Sequence, residues 1–181
     1  DIVLTFNVRN INKALIFQGI FYQKDRPNYL NYGGIGWVIG HEITHGFDDQ
    51  GRQYDDVGNL KDWWDLDTKN RFIGKTRCII EQYNNYTAES VNLPLNGINT
   101  QGENIADNGA VKEAYIAYGK ICFWPKLPSV FHTSHFMKIF LDPLGMWEEK
   151  HGSEPGLPGH SFTSKQLFWI AFAQVSLFIL H

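Results

Sequence analysis

The sequence predicts a mainly α-helical domain with minor β structure, and three observations carry that reading. A His-Glu-x-x-His pattern, His41-Glu42-Ile43-Thr44-His45, sits inside a stretch expected to be helical over about 30–47. Ala106, Ala110, Ala114 and Ala117 recur at helical spacing within 100–118, a small-residue face built for close packing. An apolar run over 167–180, interrupted by Gln174 and Ser176, reads as a buried helix. It falls short of the roughly 20 residues a bilayer span needs.

Composition bounds what the domain does. A chain of 181 residues can bury one real core and not comfortably two. With 43% hydrophobic and 19% charged residues it is globular rather than disordered. Its net charge of −3 and lack of a basic run exclude nucleic acid as an expected partner. Aromatics reach 15%, which suggests a deep core or the cut surface of something larger. Cys78 and Cys122 are too few for a disulfide framework, and no Cys-x-x-Cys spacing exists. The chain opens Asp1-Ile2-Val3 without a basic leader and reads as an internal piece of a longer protein.

In chain order, Ile2-Val3-Leu4 and Ala14-Leu15-Ile16-Phe17 are short apolar runs expected as strands or buried extended segments. Lys24-Asp25-Arg26-Pro27-Asn28 is a polar turn. In the helix after it, Gly33, Gly36 and Gly40 fall on one stripe and are expected to let a neighbouring helix or sheet approach closely. Asp48–Asn59 is turn-rich and lacks the spacing of a calcium loop. A helix is expected from Asp67 to about Tyr83, then a loop over 84–99 containing Pro94 and Gly97. Asn85-Tyr86-Thr87 is a glycosylation sequon. The stretch 119–146 shows no clean period. His132 and His135 within it have no companions of ligand character, so no metal role is assigned to them.

The chemistry lies in the first and third of these helices. Residues four apart on a helix differ by roughly 40° and share a face, so His41 and His45 can present two imidazoles to one zinc ion. Glu42, beside them, is placed to take a proton from a water that zinc has activated. The same pentapeptide also occurs on helices that bind nothing. A catalytic zinc wants a third protein ligand, and Glu103, with Asp107 one turn on, is the natural candidate. Thr100-Gln101-Gly102-Glu103 also fits a capping box in which Glu103 merely reaches back to the Thr100 amide. Asp107 would accept the outer ring N–H of a zinc histidine, and Asp48, three residues past His45, would do the same.

These residues stand in long, specific surroundings. Leu30-Asn31-Tyr32-Gly33-Gly34-Ile35-Gly36, then Gly40-His41-Glu42-Ile43-Thr44-His45-Gly46-Phe47-Asp48-Asp49-Gln50-Gly51-Arg52, closely resemble the neprilysin and endothelin-converting-enzyme family of zinc metallopeptidases. So do Gly58-Asn59-Leu60, Trp63-Trp64, Cys78 with Gln82-Tyr83, and Asn96-Gly97-Ile98-Asn99-Thr100-Gln101-Gly102-Glu103-Asn104-Ile105-Ala106-Asp107-Asn108-Gly109. The resemblance covers about 20–118 and resumes from near Trp147 to Val175. It implies a thermolysin-like (gluzincin) catalytic domain and one zinc ion per chain held by His41, His45 and Glu103. It implies Glu42 as the catalytic carboxylate, and Asp107 as proton donor or transition-state support. Asp48 and Asp107 would also orient the metal ligands, and Asn85 would be glycosylated. The implied parent is a membrane-anchored ectoenzyme that cleaves extracellular peptides.

The departures narrow what the resemblance implies. The family's substrate-binding Asn-Ala pair, its oxyanion-stabilising histidine and its carboxylate-binding arginine have no counterparts in this sequence. Cys78 would lose its family partner and is expected as a free thiol. Taken as one partial catalytic domain over 1–181, the chain has an atypical insertion at about 119–146 and an atypical tail at 176–181. Both read as translated non-coding sequence, with a lineage-specific loop as the alternative. The functional expectation is a zinc metalloendopeptidase; the alternative is a catalytically impaired zinc-binding fragment or interaction module of the same lineage. A partner or the missing C-terminal segment would then be needed for folding.

Overall fold

The computed structural model describes residues 21–121 and 154–179, in which helices account for nearly all regular structure. Helix α1 (Asn28–Asn31) runs through a π-helical turn (Tyr32–Gly36) into α2 (Trp37–His45). A single 3₁₀ turn, Gly51–Gln53, precedes α3 (Leu66–Asn84). A minimal antiparallel hairpin comes next, β1 (Thr87–Ala88) against β2 (Leu93–Pro94). Then come α4 (Gln101–Ile121) and α5 (Ser164–Ile179). The four expected helices are present, the first as α1, the π turn and α2 in succession, and the expected 84–99 loop contains the hairpin. The apolar runs before residue 21, and the expected insertion from residue 122 on, lie outside the described residues.

Contacts divide the chain into two units, one holding residues 41–109 and the other 21–40, 110–121 and 154–179 of the described residues. In the second, Tyr29, Trp37, Ala110, Ala114, Tyr118, Leu167, Phe168 and Val175 form the core. Helix α5 shows why its sequence is helical. Ser164, Leu167, Phe168, Ala171 and Val175, at i, i+3, i+4, i+7 and i+11, are buried, while Gln166, Trp169 and Gln174 face out. Its start is a capping box: the Gln166 amide donates to Thr163 Oγ1 at 3.3 Å, and Gln166 Oε1 accepts the Thr163 amide at 2.9 Å. Full burial of Leu167, Phe168 and Val175 contributes about 1.5–3 kcal/mol each.

The glycine stripe of the first helix is only partly as expected. A Cβ on Gly33 would stand 2.5 Å from the Phe168 carbonyl oxygen and 2.9 Å from Ala171 Cβ, so α5 presses directly on that backbone. Gly40 lies against Ala110 of α4 instead, with a Cβ there 3.0 Å from the Ala110 Cα. Gly36 would meet only Tyr32 and Asn31 of its own turn. The three glycines therefore do not serve one neighbour. Glu154, far away in sequence, closes the start of α1. Its carboxylate accepts the Asn28 side-chain amide at 2.8 Å, the Tyr29 backbone amide at 3.3 Å and the Tyr118 hydroxyl at 2.8 Å. Pro27 offers no side-chain cap, so Glu154 takes amides that the helix leaves unpaired.

In the first unit, Asp65 caps α3 by accepting the Thr68 amide at 2.9 Å. Arg52 lies over the rings of Trp64 and Phe72 at 5.9 and 5.2 Å. The 96–99 loop turns into α4, with Asn96 Oδ1 accepting the amides of Ile98 and Asn99 at 3.1 Å.

Candidate metal centre

The two histidines of α2 point their Nε2 atoms at one another, 2.9 Å apart. Glu103, in the first turn of α4, brings Oε2 to 3.2 Å from His41 Nε2 and 3.6 Å from His45 Nε2. Each histidine gives its other nitrogen to a carboxylate. His41 Nδ1–H donates to Asp107 Oδ1 at 2.8 Å, and His45 Nδ1–H donates to Asp48 Oδ2 at 2.7 Å. These bonds fix both tautomers, leaving a lone pair on each Nε2. Three lone-pair atoms then face one point, an arrangement that favours a cation there.

Their spacing suits zinc. A circle through three points 2.9, 3.2 and 3.6 Å apart has a radius of about 1.9 Å. That is just below zinc's bond lengths to nitrogen and oxygen of roughly 2.0–2.2 Å. His41, His45 and Glu103 are thus spaced as residues that would hold such an ion. Glu103 is 69% exposed on its side chain, so the centre opens to solvent on that side.

Asp48 is the most constrained of these carboxylates, with its residue 5% exposed. Its Oδ1 accepts the Gln50 amide at 2.8 Å and the Gly51 amide at 2.7 Å, while Oδ2 holds His45. The turn after α2 is thus folded around the carboxylate that orients the second histidine. At His41 the hydrogen bond to Asp107 raises the imidazole above its ordinary pKa, against burial, which lowers it. Glu42 is half-buried on the same helix and adds to the negative field at His41.

The predicted residues His41, His45, Glu103, Asp107 and Asp48 are therefore brought together, with Glu42 beside His41 in the chain. Asn85 lies elsewhere, exposed at the C-terminal cap of α3. The capping-box alternative for Glu103 is not what forms: the Thr100 amide donates to the Asn96 carbonyl, and Glu103 faces the histidines. Cys78 is an exposed free thiol. Sequence reasoning passed over Thr44, buried between the two histidines on α2, and Gly109, whose Cβ would strike it. The signal for both was a small residue recurring close to ligand positions.

The chain is similar to several known proteins. The model of Peptidase family M13 matches residues 10–177. Neprilysin-2 of Drosophila melanogaster is 53% identical over 161 residues, 89% of this chain and 17% of the relative. Endothelin-converting enzyme 1 of Rattus norvegicus is 44% identical over 90% of this chain and 18% of its own length. Among solved structures, the zinc metalloprotease ZMP1 of Mycobacterium tuberculosis in complex with an inhibitor superposes with a TM-score of 0.67. It is 34% identical, covering 90% of this chain and 21% of that one. The chain spans about a fifth of the length of the relatives it matches.

Proposed function

The chain belongs to Peptidase family M13, and from that premise we propose that it carries the zinc centre of a metalloendopeptidase acting on extracellular peptides. Its fold is that of a mainly helical gluzincin catalytic-domain fragment. The single observation that supports the metal reading best is the convergence of His41 Nε2, His45 Nε2 and Glu103 Oε2, all within 4.8 Å of one another. In this reading those three atoms hold the ion. Zinc, when bound, supplies Lewis-acid chemistry that acidifies water and polarises the scissile carbonyl. Glu42 accepts the proton of the attacking water and can pass it to the leaving amine. Asp107 and Asp48 keep the two imidazoles in the tautomer that offers Nε2. Of the two roles expected for Asp107, the 2.8 Å contact with His41 supports the orienting one.

The extracellular setting draws on Asn85, whose sequon lies on exposed backbone at the end of α3. No helix of the described residues is long and apolar enough to cross a membrane; the membrane anchor is proposed for the longer parent by resemblance. Replacing Glu42→Gln tests the enzymatic reading. The expected variant retains zinc and loses hydrolysis of a short fluorogenic peptide, and unchanged hydrolysis would overturn the assignment of Glu42. A second reading, a zinc-holding module without turnover, is favoured by the exposure of large apolar side chains such as Ile43 (55%) within the motif and Phe47 (53%) just after it. Zinc binding by the parent chain with no turnover would select it.

A further inference from the structure

Helix α4 carries Glu103 and Asp107 between two glycines, and each glycine lies against the segment that bears the histidines. A Cβ built on Gly109 stands 2.6 Å from Thr44 Cγ2 and 2.8 Å from Thr44 Oγ1. Thr44 is buried and β-branched, so it has little freedom to turn aside. A Cβ on Gly102 stands 3.1 Å from Asp49 Oδ1 and 3.3 Å from Asp48 Oδ2. That last oxygen is the one that accepts from His45. Neither glycine has a positive φ, so the backbone does not require glycine at either place. Helix propensity argues against it at both. What the two glycines supply is space.

We propose that Gly102 and Gly109 are positioning residues of the metal centre, their missing side chains setting how closely the Glu103–Asp107 turn approaches the histidines. The inference rests on the zinc reading above. Glu103 Oε2 lies 3.2 and 3.6 Å from the two Nε2 atoms, and Asp107 holds His41 at 2.8 Å. Bringing a methyl at 109 to an ordinary separation of about 3.5 Å or more would require a displacement of nearly 1 Å. Metal–ligand bonds tolerate shifts of about 0.2 Å, and the His41–Asp107 hydrogen bond only a few tenths. Gly109 is the stricter position, because a Cβ there meets Thr44 at 2.6 Å, whereas one at Gly102 comes no closer than 3.1 Å to any side chain.

The test uses the full 181-residue chain, with zinc affinity read by competition against a chromophoric chelator and ligand geometry read from the visible spectrum of the Co²⁺-loaded protein. Gly109→Ala is expected to weaken zinc binding by about 10- to 100-fold and to alter the Co²⁺ spectrum, as loss of an orienting contact does. Gly102→Ala is expected to weaken it less. The added variant Thr44→Ala/Gly109→Ala removes Cγ2 and Oγ1 and leaves Cβ 3.3 Å from the new methyl. It is expected to bind zinc as Thr44→Ala alone does. Unaltered zinc affinity in Gly109→Ala overturns the proposal. Should Gly109→Ala not fold, the double variant decides: affinity equal to Thr44→Ala supports the proposal, and a tenfold loss overturns it. A parent chain that takes no zinc refutes the metal reading itself, which is seen before any glycine is changed.

Discussion

Asp48→Asn tests the proposed orienting role of a buried carboxylate. The asparagine is nearly isosteric, and its Oδ1 can keep the Gln50 and Gly51 amides that Asp48 now accepts at 2.8 and 2.7 Å. Its Nδ2 would replace the oxygen that stands 2.7 Å from His45 Nδ1. Two N–H donors cannot share that gap. His45 must then take the opposite tautomer, with Nδ1 accepting and Nε2 carrying the proton. That proton points at the site shared with His41 Nε2, 2.9 Å away, and removes one lone pair from the metal.

The expected loss of zinc affinity is about 10- to 100-fold, or about 1.4–2.7 kcal/mol. The three charge-assisted hydrogen bonds to the carboxylate also become neutral ones, costing at least about 1–2 kcal/mol of zinc-free stability. Because the Asp48 side chain is 7% exposed, solvent screening takes little from that figure. For a chain of this size the melting temperature should fall by about 2–8 °C. Chelator competition gives the first quantity and thermal unfolding without zinc the second. A variant that melts earlier yet binds zinc within about twofold of the parent, against the loss expected for an orienting contact, refutes the reasoning. Asp48 would then be only the cap of the turn after α2.

Two more outcomes concern exposed positions. The Asp65 carboxyl is held below the ordinary carboxylate range by the Thr68 side chain and then by the Thr68 amide. A lowered folded-state pKa means stability present above the unfolded pKa and lost as pH falls through the folded one. Asp65→Asn, which still caps α3, should therefore flatten the acid limb of stability measured by urea unfolding from about pH 6 to about pH 3; an unchanged limb would remove Asp65 from the account. If the chain is secreted from eukaryotic cells, Asn85→Gln should abolish a glycosidase-sensitive mass shift. A shift that persists in the variant, or is absent from the parent, counts against the Asn85 assignment.

The sequence discloses local pairs better than distant ones. His45 and Asp48 are three residues apart, and helical spacing alone brings them together. His41 and Asp107 are 66 residues apart, and only the chemistry a zinc site requires, together with the resemblance, joined them. The π turn at Tyr32–Gly36 was not legible, because periodicity assumes a constant turn and the wider π turn shifts the phase of the residues after it. That shift is why a stripe drawn through Gly33, Gly36 and Gly40 failed at Gly36 and divided between two neighbours. The cap that Glu154 provides for α1 had no signal either, since the carboxylate lies about 126 residues from the amide it serves.

The pattern Thr-x-x-Glu/Gln occurs before both α4 and α5, and the two copies behave differently for a physical reason. Thr163 and Gln166 pair reciprocally and the box closes. At Thr100 the preceding loop has already taken both partners. The Asn96 carbonyl accepts the Thr100 amide and the Thr100 hydroxyl, each at 3.1 Å, and Asn104 Nδ2 donates to that hydroxyl at 2.8 Å. Asn96 Oδ1 meanwhile accepts Ile98 and Asn99. With the amide of Thr100 satisfied, Glu103 gains nothing by folding back, and its carboxylate is free to reach the histidines. The Asn96–Asn99 loop thus does more than enter the helix: by taking the Thr100 amide, it leaves the third ligand of the proposed zinc centre to face the histidines.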